Sequence, residues 1–409
     1  MASKLLFASA VCLIILIAGG LFVYSRQISS GSGKQALQVY ADEVIAACSS
    51  QDFPPHCYDE EIPKLMDRIS LEESFEVVRL IQQKDERYLY CHVVSHKISF
   101  AEAAKNPAGW KDVITRCPTT FCNNGCLHGA LMQRFNAEYL SDAQIESIMP
   151  DLESVCEPRG DWNPVRVEMA MCYHAIGHLL MFATKADITK SLHLCEKIGE
   201  KPDGRNYVET CTYGVLMTVF QPLEPEDFAL VRHLTPPKER VDSFCDKFRG
   251  VNKYSWHGCR RESWPLFNEE LWQPEGLVKF CSYTNEPEWQ RRCYSMQMNI
   301  INTQIGVSKN DINAVREYCK GMPDAPRIPE SPRELCFAFS AQQLVQLDPQ
   351  FTDEALETCK AAAKLGIGDA CYKEMAYFGY ASFHPGSEPH QEYCGKLPEP
   401  WATTCRDLR

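Results

Sequence analysis

Residues 163–183 read NPVRVEMAMCYHAIGHLLMFA. Asn163 suits an N-cap and Pro164 suits the first helical position, so a helix is expected to open there. Val167, Met171, His174, His178 and Met181 then fall on one face at helical spacing. The stretch reads as an amphipathic helix whose apolar side carries two imidazoles four residues apart, just after Cys172.

Working outward from Cys172, the cysteines fall into two alternating classes. One class closes an amphipathic stretch: Cys156, Cys195, Cys245, Cys281, Cys319, Cys359 and Cys394. The other lies inside the next apolar segment, often beside an aromatic residue: Cys172, Cys211, Cys259, Cys293, Cys336, Cys371 and Cys405. Within a class the spacing is mostly 34 to 50 residues, the period of helix–turn–helix repeats. Runs of alternating β-branched residues are few, and TDEALETCKAAAKLG (352–366) has a helix start at Thr352 and Asp353 and a stop at Gly366. The expected fold is all-α: a disulfide-stapled α-solenoid of helical hairpins behind one N-terminal transmembrane helix. The proline-rich stretches read as connections within that array.

Pairing neighbours along the chain gives 156–172, 195–211, 245–259, 281–293, 319–336, 359–371 and 394–405, with Cys48–Cys57 as a further local bridge. Cys91, Cys117, Cys122 and Cys126 remain. Bridges 117–126 and 91–122 extend the pattern, although four cysteines allow three connectivities. Each bridge closes a short loop and stabilises by roughly 2–4 kcal/mol on the chain-entropy account.

This alternation of helical hairpins and cysteines resembles the cysteine-rich, tetratricopeptide-like hairpin proteins of bacteria over most of residues 40–405, in architecture and not in motif. The resemblance implies stacked hairpins with a concave face and implies no catalytic residue. The strings CNNGCLHG and CYHAIGH look like pieces of uncharacterised membrane-anchored bacterial proteins.

Four segments follow: a cytoplasmic stub (1–4), a transmembrane anchor (5–24), a linker (25–36) and a disulfide-rich helical repeat domain (37–409), whose first part, about 85–180, is rich in histidine. Leu5 to Tyr24 is uncharged and long enough to cross a bilayer, and it lacks the small-residue cleavage site of a signal peptide, so an anchor is favoured over a cleaved signal. Of 21 cysteines, 20 lie beyond it. That even number belongs to an oxidising compartment and places the body in the periplasm or extracellular space. No CxxC pair occurs, so the usual zinc-ribbon spacing is missing. The net charge of -12 and the lack of a basic block exclude nucleic acid as a partner. The partners expected are the membrane, through the anchor, and a peptide or protein on the concave face.

Five of the 11 histidines lie in three motifs: CHVVSH (His92, His96), GCLHG (His128) and CYHAIGH (His174, His178). His128 and His174 each stand two residues after a cysteine, and Tyr213 holds that place in the next repeat. Equivalent positions of successive hairpins are spatial neighbours. A pair at i, i+4 shares one side of a helix and can grip one ion. These five residues are therefore candidate ligands for a transition metal, with Glu168, Tyr173 and Tyr213 as candidate orienting groups behind the rings. Imidazole suits Zn, Cu, Fe and Ni, and the choice among Cu, Zn and Fe stays open. A structural hydrogen-bond network and a pH-sensitive or ligand-binding cleft are the competing readings.

HVVSH and HAIGH lack the glutamate of a zincin, and no Glu-x-x-His accompanies them as a di-iron carboxylate site needs. Covalent haem attachment needs C-x-x-C-H, which CNNGCLH does not supply. No phosphate loop, dinucleotide fingerprint or nucleophile elbow occurs. WHGCRRESW (256–264) reads as a solvated helix end with aromatic packing, an anion or partner site being the alternative. The functions left are a membrane-anchored extracytoplasmic metalloprotein, with metal-dependent oxidoreductase the class if it is an enzyme; a solenoid scaffold with structural histidines; and a non-covalent bis-histidine haem electron carrier.

Overall fold

The computed structural model describes residues 33, 35–85, 87–88, 91–118, 121–122, 125–135, 140–160, 162–222, 225–306, 311–323 and 330–408. The stub, the anchor and most of the linker lie outside the described residues, as does Cys12. No helix among the described residues is long and apolar enough to cross a membrane. They form no strand, only three isolated β-bridges between helices, and the chain divides into two compact units at Asp85.

The first unit contains α1 (35–48), α2 (Pro54–Glu61) and α3 (Leu71–Lys84), with Cys48–Cys57 joining the end of α1 to α2. A capping box opens α3: Ser70 Oγ accepts from Glu73 N, and Glu73 Oε2 accepts from Ser70 N. The buried face of α3 is Leu71, Phe75, Val78 and Ile81, at helical spacing.

The second unit begins with α4 (His92–Lys105), α5 (Trp110–Arg116), α6 (Gly125–Phe135), α7 (Asp142–Ser154), α8 (Arg166–Ala183), α9 (Ile188–Gly199), α10 (Val208–Phe220) and α11 (Pro225–Val231). It continues with α12 (Val241–Cys245), α13 (Ser255–Glu262), α14 (Asn268–Leu271), α15 (Pro274–Cys281), α16 (Pro287–Ile301) and α17 (Ile312–Lys320). The last are α18 (Pro332–Leu347), α19 (Thr352–Lys364), α20 (Gly368–Ser382), α21 (Glu388–Gly395) and α22 (Trp401–Asp407).

Seven helix pairs share one plan. The first helix has a cysteine in its C-terminal half or just beyond its end, and the bridge runs to the second helix of the pair: Cys156–Cys172, Cys195–Cys211, Cys245–Cys259, Cys281–Cys293, Cys319–Cys336, Cys359–Cys371 and Cys394–Cys405. All fourteen half-cystines are buried. Cys91–Cys122 and Cys117–Cys126 do the same work around α4 and α6. Ten bridges are the signature of an oxidising, extracytoplasmic setting.

The second helices of successive pairs lie against one another. α4 packs on α6, α6 on α8, α8 on α10, α10 on α13, α13 on α16, α16 on α18, α18 on α20 and α20 on α22. α20 also returns to α8, where the Arg166 guanidinium lies 4.4 Å above the Tyr380 ring. From α14 onward this inner layer is a continuous apolar core that includes Met298, Phe337, Phe339, Leu344 and Met375.

Two local expectations shift. The helix expected from Asn163 opens at Arg166, because the Glu168 carboxylate takes the Val165 N–H and caps the helix there. WHGCRRESW is not a solvated helix end: Arg260, Arg261 and Glu262 on α13 are all buried. α13 lies inside the stack between α10 and α16, so Arg261 and Glu262 pair internally, while Arg260 reaches the exposed Asp242 carboxylate. Arg261 reaches Glu262 and stacks on the Tyr213 ring, while Gln221 Nε2 donates to Glu262 Oε2.

Candidate metal centre

Three inner helices carry the five histidines to one place. α4 and α6 approach closely because Gly125 and Gly129 face α4; a Cβ on Gly129 would lie 2.0 Å from the His96 carbonyl oxygen. α8 and α10 meet in the same way, Gly177 and Gly214 lying against each other's helix, with His174 O 2.0 Å from where a Gly214 Cβ would be. Backbones this close place side chains at neighbouring helix positions in contact.

The rings pack against one another. Centroids of His92, His96 and His128 are 4.5–5.1 Å apart, and His128 lies 5.6 Å from His174 and 5.5 Å from His178. Nε2 of His92 is 3.0 Å from Nε2 of His96, and Nε2 of His174 is 3.1 Å from Nε2 of His178. His92, His96 and His128 each bring a ring nitrogen within 4.8 Å of the other two, and these residues could hold a metal ion. His92, His96 and His128 are 3%, 7% and 3% exposed, while His174 and His178 are partly exposed.

Backbone and hydroxyl groups orient the rings from outside. The Cys122 carbonyl faces His92 Nδ1 at 3.1 Å, so a neutral ring donates from Nδ1 and keeps its lone pair on Nε2. Cys122 has φ 50°, the left-handed region, and the bridge to Cys91 holds it at the mouth of α4. His178 Nδ1 lies 2.9 Å from Thr218 Oγ1. Thr218 gives its one proton to the Gly214 carbonyl, so it accepts from Nδ1–H, and the Nε2 lone pair of His178 turns inward.

Burial keeps four of these rings uncharged. Desolvation, followed by the neighbouring imidazoles, holds His96, His128 and His178 well below the ordinary histidine value. His174 is pushed down to about 4, by burial first and His92 next. Neutral imidazole is the form that ligates. Two ring nitrogens, His96 Nδ1 and His128 Nε2, are buried with no hydrogen-bond partner.

The groups expected behind the rings are engaged elsewhere. Glu168 caps α8. Tyr173 donates to Glu157 at 2.6 Å and stacks on Tyr207, with centroids 4.4 Å apart. The Tyr213 hydroxyl donates to Glu209, which also pairs with Arg292. The orienting groups are instead Thr218 and the Cys122 carbonyl. Thr218 stands on α10 directly across from His178, and the close-packing glycines of GCLHG, HAIGH and CTYG were the signal in the sequence that α10 would come this near.

A second group, His390, Cys394 and Cys405, has the spacing of a metal site. Its cysteines form a disulfide, and His390 Nδ1 accepts from Gly386 N, which leaves Nε2–H to face Cys394 Sγ at 3.4 Å. This histidine is a packing residue of the last hairpin. No family model, curated protein or solved structure matches the chain.

Proposed function

We propose that this is a membrane-anchored, extracytoplasmic metalloprotein. Its hairpins stack as a solenoid behind the apolar segment 5–24, and His92, His96, His128, His174 and His178 bind a transition metal. The observation that carries the reading is the Nε2 of His128: buried, without a partner, and ringed by four other imidazoles. An unmade hydrogen bond of this kind costs about 1–3 kcal/mol, and a bound ion removes that cost. The outside bonds to His92 and His178 support it, because they turn lone pairs inward as ligand-orienting groups do. An imidazole-only set suits copper, zinc, iron or nickel, any of which an oxidoreductase or a carrier could use.

Spacings of 3.0 and 3.1 Å are also hydrogen-bond distances, and this favours a second reading, a scaffold whose histidines form a structural network. That network leaves His128 Nε2 unsatisfied, which is why the metal reading leads. Rings packed edge-on or tilted at 4.5–5.6 Å leave little room for a macrocycle between them, so a bare ion is favoured over haem. The test is elemental analysis of full-length protein made without a histidine tag in an oxidising compartment. Near-stoichiometric metal is expected. Protein that carries none, and takes none up at neutral pH, belongs to the scaffold reading.

A further inference from the structure

We propose that the cluster holds two ions in unequal positions: a buried one on His92, His96 and His128, and a partly exposed one on His174 and His178 where a small anion joins the coordination. This rests on the metal-centre reading above.

The distances argue for two positions. Metal–imidazole bonds are about 2.0–2.1 Å, so two ligands of one ion lie at most about 4.2 Å apart. His92, His96 and His128 come near that limit as a group, and His174 and His178 fall outside the group although their own Nε2 atoms are 3.1 Å apart. The five nitrogens thus converge on two points. His128 leans towards the first, 4.8–5.1 Å from its rings against 5.5–5.6 Å from the others. Each point has its own outside support, the Cys122 carbonyl for one and Thr218 for the other.

Exposure and charge argue that the points differ. The three-histidine position is buried on every side chain. Both positions fall short of the four protein ligands of a sealed site, but only the two-histidine position is partly exposed, so solvent-borne groups reach its free coordination sites. The three-residue group contains no carboxylate, and five neutral imidazoles do not offset the charge of two dications. A small anion at the partly exposed position supplies a missing ligand and offsets part of that charge.

The test is a Co(II) titration of chelator-stripped full-length protein, followed by visible absorption, with azide as the anion probe. Wild type should saturate at two equivalents per chain, and azide should shift the bands of only the second. His174→Ala/His178→Ala should saturate at one equivalent and ignore azide, with unchanged helical circular dichroism. Saturation of wild type at one equivalent overturns the inference even if the variant fails to fold. So does a folded variant that keeps two equivalents or still responds to azide. Wild type that takes up no cobalt overturns the metal-centre reading itself.

Discussion

Helices α8 and α18 hold the same place in their hairpins. Each carries the second cysteine of its bridge, Cys172 or Cys336, and each packs between the inner helices before and after it. Two residues beyond the cysteine, α8 has His174 and α18 has Ala338. Around Ala338 the inner layer is apolar, with Phe337, Phe339 and Leu344 buried. Around His174 it is a cluster of imidazoles held by glycine-mediated helix contacts. The bridge and the helix packing are common to both regions, so the frame does not require the imidazoles. Fold and candidate site should therefore respond to different perturbations.

The largest expected effect is on the His-bearing side. His128→Ala removes the central ring, and metal affinity should fall at least about 100-fold in a chelator competition, a loss at or above the top of the range for removing an orienting group alone. Thermal stability of the metal-free protein should fall less than it does for Phe337→Ala, because the cost of the cavity is offset in part by removing a buried nitrogen without a partner. A variant that binds metal normally breaks the distinction between the regions.

Phe337→Ala is the counterpart in α18. A fully buried phenylalanine lost from a packed core costs about 3–5 kcal/mol. Urea unfolding should show that loss while metal stoichiometry stays at the wild-type value. A fall in both would mean that the regions are coupled through the inner layer.

Thr218→Val keeps the shape of the side chain and removes the acceptor of His178 Nδ1–H. Metal affinity should drop roughly 10–100-fold with little change in helical circular dichroism, the usual effect of losing an orienting group. An unchanged affinity would make the Thr218 bond a packing detail.

The smallest effect is a pH dependence. His174 titrates near 6.5 unfolded and near 4 folded, and burial lowers His96, His128 and His178 in the same direction. Between those values the unfolded chain binds more protons, so the stability of the metal-free protein is full above about pH 6.5 and declines as pH falls towards 4. Urea midpoints at pH 7 and pH 5 measure it. Replacing His174 and His178 with Ala should flatten the profile, whereas Phe337→Ala should shift it down without changing its slope.

Much of this was legible along the chain. Helices were visible because apolar residues recur at helical spacing and because start and stop residues mark their ends, as Thr352 and Gly366 do for α19; the start of α18 at Pro332, inside a stretch that reads as a proline-rich connection, was not. Bridge partners were visible because the loops are short, 9 to 17 residues in nine of the ten cases. The Cys91–Cys122 bridge, at 31 residues, needed the other nine to be assigned first. The histidine motifs stood out because each follows a cysteine of the repeat.

The sequence by itself therefore determined the all-helical class, the staples that close short loops and the five imidazoles as candidates, since all three depend on spacing over a turn or a short loop. Only the tertiary structure decided what stands behind each ring. Glu168 and Tyr173 are near the histidines in sequence, but one is used as a helix cap and the other points to Glu157. Thr218 and Cys122, 40 and 30 residues from the rings they hold, arrive by helix packing and by a bridged turn. The burial of Arg260, Arg261 and Glu262 was decided there too. A charged string looks solvated until a neighbour supplies its partners, and which helices become neighbours depends on contacts that no local pattern records.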